Sequence, residues 1–286
     1  MFEQVLYDHL VQNTADIGCL ATYNGLPAVF NQEAPADTDT GWDGAQYGRL
    51  IFTVSMQGSY ERIVDGTLTV DLILKDGEPV PEDVAPQIND LIDGYFFTDE
   101  YRTIAAQWFA TNYLYGADEQ QNGIRLTYRI LAFPLQRSAE PDFISLVNSY
   151  TKEILPDACV IGLDTMAAPA WRPAPETPSV YWRCSEIRPC DWIPSNYACT
   201  WQTAICHAHI SAVDLETERN TARKIVNSFD MKRSLRFPDN TVLRIDRNVS
   251  VAAGADPLGQ GQVRAELTYG ILRQSSGTTL DNIHMQ

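Results

Sequence analysis

Leu126-Thr127-Tyr128-Arg129-Ile130-Leu131 returns near the C-terminus as Leu267-Thr268-Tyr269-Gly270-Ile271-Leu272, with five of six positions unchanged. Two shorter matches keep it company. Gly116-Ala117-Asp118 returns as Gly254-Ala255-Asp256 and Pro27-Ala28 as Pro169-Ala170, so three matches fall in one order at offsets of 138 to 142 residues. One match of this length arises by chance, whereas three at a nearly constant offset predict a diverged tandem duplication. The 286 residues then form two domains of ordinary size, residues 1–136 and 140–273, followed by a flexible tail over 274–286.

The patterning between the matches fills in each copy. Phe2, Val5, Leu6, His9 and Leu10 stand at helical spacing. Leu50, Phe52, Val54 and Met56, then Leu68, Val70, Leu72 and Leu74, alternate as two strands of one sheet. Pro81, with Glu82 and Asp83, opens a helix whose stripe is Val84, Ile88, Leu91, Ile92, Tyr95 and Phe96. Strands follow at about 104–115 and 124–133, with Asn122-Gly123 as a turn signal between them. The second copy repeats the order. It has a helix on Phe143, Leu146, Val147, Tyr150 and Ile154, strands near 180–187 and 197–210, a helix capped by Asp214, and strands near 242–252 and 262–273. The predicted fold is α+β, two tandem α-β-β-α-β-β domains, each a mainly antiparallel sheet packed by helices.

Three stretches fall outside this pattern. Asn31 to Gly44 is rich in Asp, Thr and Gly and reads as an exposed flap; Asp37, Asp39 and Asp43 resemble a calcium loop only faintly, without the closing glutamate of an EF-hand. Pro169 to Pro178 holds four prolines and is expected to be extended and exposed. Around it lie Trp171, Trp182, Trp192 and Trp201, which fit a subunit interface or core better than a platform for sugars or bases.

Charge and motifs narrow the function. A net charge of -16 argues against binding a phosphate backbone, and the acidity is lopsided: residues 1–137 carry 20 acidic and 7 basic groups. No apolar run approaches the roughly 20 residues that cross a bilayer, and the N-terminus lacks the pattern of a secretory signal. Nucleophile elbow, Walker loop, dinucleotide fingerprint and HExxH are all missing, so no catalytic residue and no cofactor is expected. Cys184, Cys190, Cys199 and Cys206 fall near His207 and His209 without a CxxC pair; reduced thiols fit this spacing better than a zinc site or a disulfide.

Pro27-Ala28-Val29-Phe30 with Ala34-Pro35, then Tyr47-Gly48-Arg49-Leu50-Ile51, then Gly66-Thr67-Leu68-Thr69-Val70, resembles the tail terminator or tail completion proteins of long-tailed bacteriophages and prophages. The resemblance implies a non-enzymatic virion protein at the head-tail junction, made in the bacterial host cytoplasm. It would form a ring that stops tail-tube growth. Its partners would be further copies of itself, the tail tube protein and head-tail connector proteins, with DNA passing through the lumen unbound and no membrane involved. Two domains per chain imply a ring of three chains or a multiple. Other neck, connector or tail adaptor proteins, and a ligand-binding module built on the tryptophan-rich insertion, are the alternatives. Candidate interface residues are Arg125 and Arg129, on the wet face of their strand, with the flap 31–44 and Trp171, Trp182 and Trp192.

Overall fold

The structure is a computed structural model that describes residues 1–15, 17–44, 46–56, 64–75, 77, 79–115, 121–135, 141–166, 168–174, 176–196, 198–246, 249–252 and 261–272. The repeated Gly-Ala-Asp triplets at 116–118 and 254–256 and the tail 274–286 lie outside these residues. In chain order the elements begin α1 (Phe2–Thr14), β1 (Thr22–Tyr23), β2 (Leu26–Pro27), β3 (Val29–Asn31), β4 (Arg49–Met56), β5 (Val64–Lys75), α2 (Pro81–Asp90), β6 (Phe96–Thr98), β7 (Arg102–Tyr115) and β8 (Gln121–Pro134). They continue α3 (Phe143–Ile154), β9 (Cys159–Val160), β10 (Ala170–Trp171), β11 (Ser179–Pro189), β12 (Cys199–Ser211), α4 (Leu215–Lys232), β13 (Ser234–Arg236), β14 (Val242–Ile245), β15 (Ser250–Val251) and β16 (Val263–Leu272). The class is α+β. Among the described residues no helix is long and apolar enough to cross a membrane.

The chain divides into two compact units, Met1–Gln136 with Asp164–Pro175, and Arg137–Leu163 with Glu176–Gln286. Residues 164–175, expected within the second domain, belong to the first unit, because β10 pairs antiparallel with β6 at its sheet edge.

In the first unit the strands run β10-β6-β7-β8-β5-β4-β3. Alternation along β4, β5 and β8 turns Leu50, Phe52, Leu68, Val70, Leu72, Leu126, Tyr128 and Ile130 to one face, where Phe2, Leu6 and Leu10 of α1 and Val84 and Ile88 of α2 cover them. Removing that apolar area from water is what holds the unit together, at roughly 25 cal/mol per Å². Only β3 and β4 are parallel neighbours among the described strands here.

In the second unit the path is β13-β14-β16-β12-β11-β9, with β15 also on β16, and again one described pair, β9 with β11, is parallel. Its core gathers Val147 of α3 and Ile225 and Phe229 of α4 over Val180, Trp182, Ala204, Cys206, Ala208 and Leu267. Both helices start on aspartate caps: Asp142 accepts from Ser145 N and Asp214 from Thr217 N. Lys232 closes α4 and Arg233 takes the left-handed conformation, φ 62°, that ends it.

The repeated hexapeptides occupy matching places, β8 between β7 and β5, and β16 between β14 and β12. Thr127 lies opposite Thr69 and Thr268 opposite Thr203, the latter pair joined Oγ1 to Oγ1 at 3.0 Å. One turn expectation changes place. Asn122 and Gly123 pair within β8, Gly123 opposite Leu114, whose Cβ would stand 3.0 Å from any added Cβ, so glycine here permits close strands rather than a turn. The Asn-Gly turn is instead Asn24-Gly25, with φ 51° and 77°, between β1 and β2.

Candidate assembly interface

Arg125 and Arg129 share one face of β8. Arg125 forks onto Asp71 of β5, Nε to Oδ1 at 2.6 Å and Nη2 to Oδ2 at 2.7 Å, and that carboxylate raises its pKa further. The pair lies at the surface, Arg125 exposed and Asp71 half-buried, so it is worth at most about 1 kcal/mol and leaves a neutral patch rather than a free cation. Arg129 is half-buried between Thr67 and Gln107.

The flap 31–44 is anchored, not loose. Trp42, 9% exposed, donates from Nε1 to Ala36 O and packs edge-on against Tyr23 and Phe30. Its aspartates face separate partners, Asp37 with Arg49 at 2.7 Å, Asp39 with the Tyr23 hydroxyl and Gly41 N, and Asp43 with Gly25 N. Among the described residues they do not gather into a group that could hold a metal ion.

Trp171 is half-buried in β10, stacked on Phe96 and donating Nε1–H to Thr98 Oγ1 at 3.2 Å. Trp182, expected among exposed aromatics, is core. It is 1% exposed, stacks on Phe229, and donates Nε1–H to Thr151 Oγ1 at 2.9 Å. The reason is alternation along β11, which puts Trp182 on the inward face with Val180. Trp192 is exposed, and the Arg244 guanidinium lies 5.7 Å from its ring and 5.6 Å from that of Trp201. Arg244 thus fills the slot between these rings.

The cysteine and histidine region does not converge. Among the described residues no group of three or more His, Cys, Asp or Glu could hold a metal ion, and none of the six cysteines is in a disulfide. Cys184 and Cys206 are cross-strand neighbours; the hydrogen bond between them lowers the Cys184 pKa, while that same contact and then burial raise Cys206. Burial, Arg183 and Arg264 depress His207, and Arg183 Nε donates to His209 Nε2 at 2.9 Å. Two guanidiniums so placed disfavour a cation.

One surface went unread in the sequence. β6 covers β7 only at Thr103, Ile104 and Ala105, beyond which Trp108, Phe109 and Tyr113 are 47%, 65% and 58% exposed. A bulge between Trp108 and Ala110 resets the alternation, so Trp108, Thr111 and Tyr113 line one groove with Ile124, Leu126, and Glu82, Ala85, Pro86 and Asn89 of α2. Its volume is about 530 Å³. Adjacent Trp108-Phe109 in a strand was the signal, since one of the two must face outward whatever the register.

No family model and no curated protein matches this chain. Nine chains among solved structures match it. One of them is 15% identical, with a TM-score of 0.33 over 46% of this chain and 90% of its own length.

Proposed function

We propose that this chain is a non-enzymatic structural protein of a phage particle, a tail terminator that forms a ring on the end of the tail tube and joins it to the head. The observation that supports the reading is the common strand path of the two units. In each, a helix leads into a short parallel edge pair, two long antiparallel strands, a second helix, and a return through the hexapeptide strand. Descent of both units from one ring-forming domain by tandem duplication explains that shared path and the sequence matches together. A fused pair halves the number of chains needed to close a ring and makes every second contact intramolecular. The surplus of acid in the first half suits a channel through which DNA slides without sticking.

The test is the solution mass of the full chain by light scattering, with negative-stain imaging of the same peak. An annulus of three chains, or a multiple of three, supports the reading; labelling of the chain at a tail-head junction in purified particles would secure it. A protein that stays monomeric and is found elsewhere in the particle, or in no particle, refutes it.

A further inference from the structure

The groove beside α2 has the makeup of an interface. Its floor is apolar, Ala85, Ile124 and Leu126, and its wall is Trp108 and Tyr113. Pro86 has no N–H to offer the carbonyl of Glu82 one turn earlier. Glu82 lines the groove and Asp83 and Asp90 stand on the same helix, all three exposed and in no ion pair among the described residues. Such a site asks for a partner that brings N–H donors and positive charge around a small apolar centre.

The chain carries that partner. α4 packs inward through Ala222, Ile225 and Phe229, and its opposite face presents Arg219, Arg223 and Lys224, exposed and outside every ion pair among the described residues. Met231, 84% exposed, stands on the same stripe near the C-terminal end. Helices α2 and α4 precede β6 and β13, the corresponding strands of the two sheets, so a contact between them pairs two different surfaces of the chain and propagates head to tail wherever those surfaces take different neighbours.

We propose that the groove of Trp108, Tyr113 and α2 on one chain receives the basic face of α4 from a second copy, with Glu82, Asp83 and Asp90 opposite Arg219, Arg223 and Lys224. The closure of such an array into a ring rests on the terminator reading; the contact itself is a property of this chain alone.

Two variants of the full chain test it, one with Glu82→Lys, Asp83→Lys and Asp90→Lys, the other with Arg219→Glu, Arg223→Glu and Lys224→Glu. In sedimentation velocity at about 50 mM salt, where screening is weak, the wild type associates and each variant alone is weakened at least about tenfold. An equimolar mixture of the two regains association, because each interface in it then pairs unlike charges. The chain with all six changes associates by itself. The mixture also guards against misfolding, since unfolded variants could not rescue each other. A monomeric wild type, a single variant that associates like wild type, or a mixture of folded variants that stays monomeric overturns the proposal. The two readings fail separately. Assembly through these faces by a protein absent from tail-head junctions sinks the terminator and leaves the contact, whereas junction labelling with both variants assembling normally does the reverse.

Discussion

Trp171 lies flat on Phe96, their ring centroids 4.5 Å apart and their planes 13° from parallel. Around this stack β10 adds itself to β6, with Thr98 N donating to Pro169 O at 2.7 Å and Arg172 over the Tyr95 ring. A strand of two residues has little ladder to hold it, so the ring contact carries the attachment.

Trp171→Ala is therefore expected to lower the stability of the first unit by about 1–3 kcal/mol and to expose 164–175 to limited proteolysis. Trp171→Phe keeps the stack and loses only the bond to Thr98, so its cost in urea unfolding should be the smaller of the two.

Trp182 behaves differently because it is enclosed. Trp182→Ala should cost about 3–5 kcal/mol. Trp182→Phe should cost about 1–2 kcal/mol, since the ring still faces Phe229 while Thr151 loses a donor. Neither change should alter the association of whatever fraction is folded, which sedimentation of the refolded peak would check.

Gly48 has φ 92°, and a Cβ built on it would meet Cys19 O at 2.0 Å. The close approach is enforced from both sides, since Gly48 O accepts from Ala21 N at 2.6 Å and Gly48 N donates to Ile73 O at 3.1 Å. Gly48→Ala should destabilise by at least ~2 kcal/mol, read as a lowered midpoint in denaturant with an unchanged slope.

Burial, opposed by the Thr268 hydroxyl and reinforced by nearby Glu266, raises the pKa of Asp246. The folded protein thus holds this proton more tightly than the unfolded chain does. The stability it contributes is complete below the ordinary value of 3.8 and is lost as pH rises through the folded pKa. Asp246→Asn, which can still accept from Thr268, should raise the melting temperature at neutral pH and lose that advantage as pH falls below the ordinary carboxylate range. A melting series across pH decides it, and a gain that grows on acidification would contradict the assignment.

The long strands and the helices α3 and α4 could be read from residues alone, because burial on one face writes a period into them and Asp142 and Asp214 mark where the helices begin. The second hexapeptide matched the first because both lie between two neighbours, where a substitution is felt on each side. Strands of two or three residues, β3, β6, β9 and β13, are too short to show a period. The partner of β10 lies some seventy residues away, so its prolines suggested only extension. The interface residues were harder still. Trp182 and Trp192 look alike in composition, and what separates them is the alternation with Val180. The groove at Trp108 depends on a bulge, which shifts every later side chain on β7 and leaves no mark in the pattern before it.

The placement of β10 also bears on how the molecule is made. A ribosome delivers the first 136 residues well before residues 170 and 171, and α3 emerges in between. The first sheet can collapse early but must wait, with the edge of β6 open and Phe96 uncovered, until part of the later unit has been synthesised. An expression fragment ended near residue 136 would stay in that waiting state permanently, offering an unpaired edge to its neighbours. The two halves can therefore be counted separately but not manufactured separately.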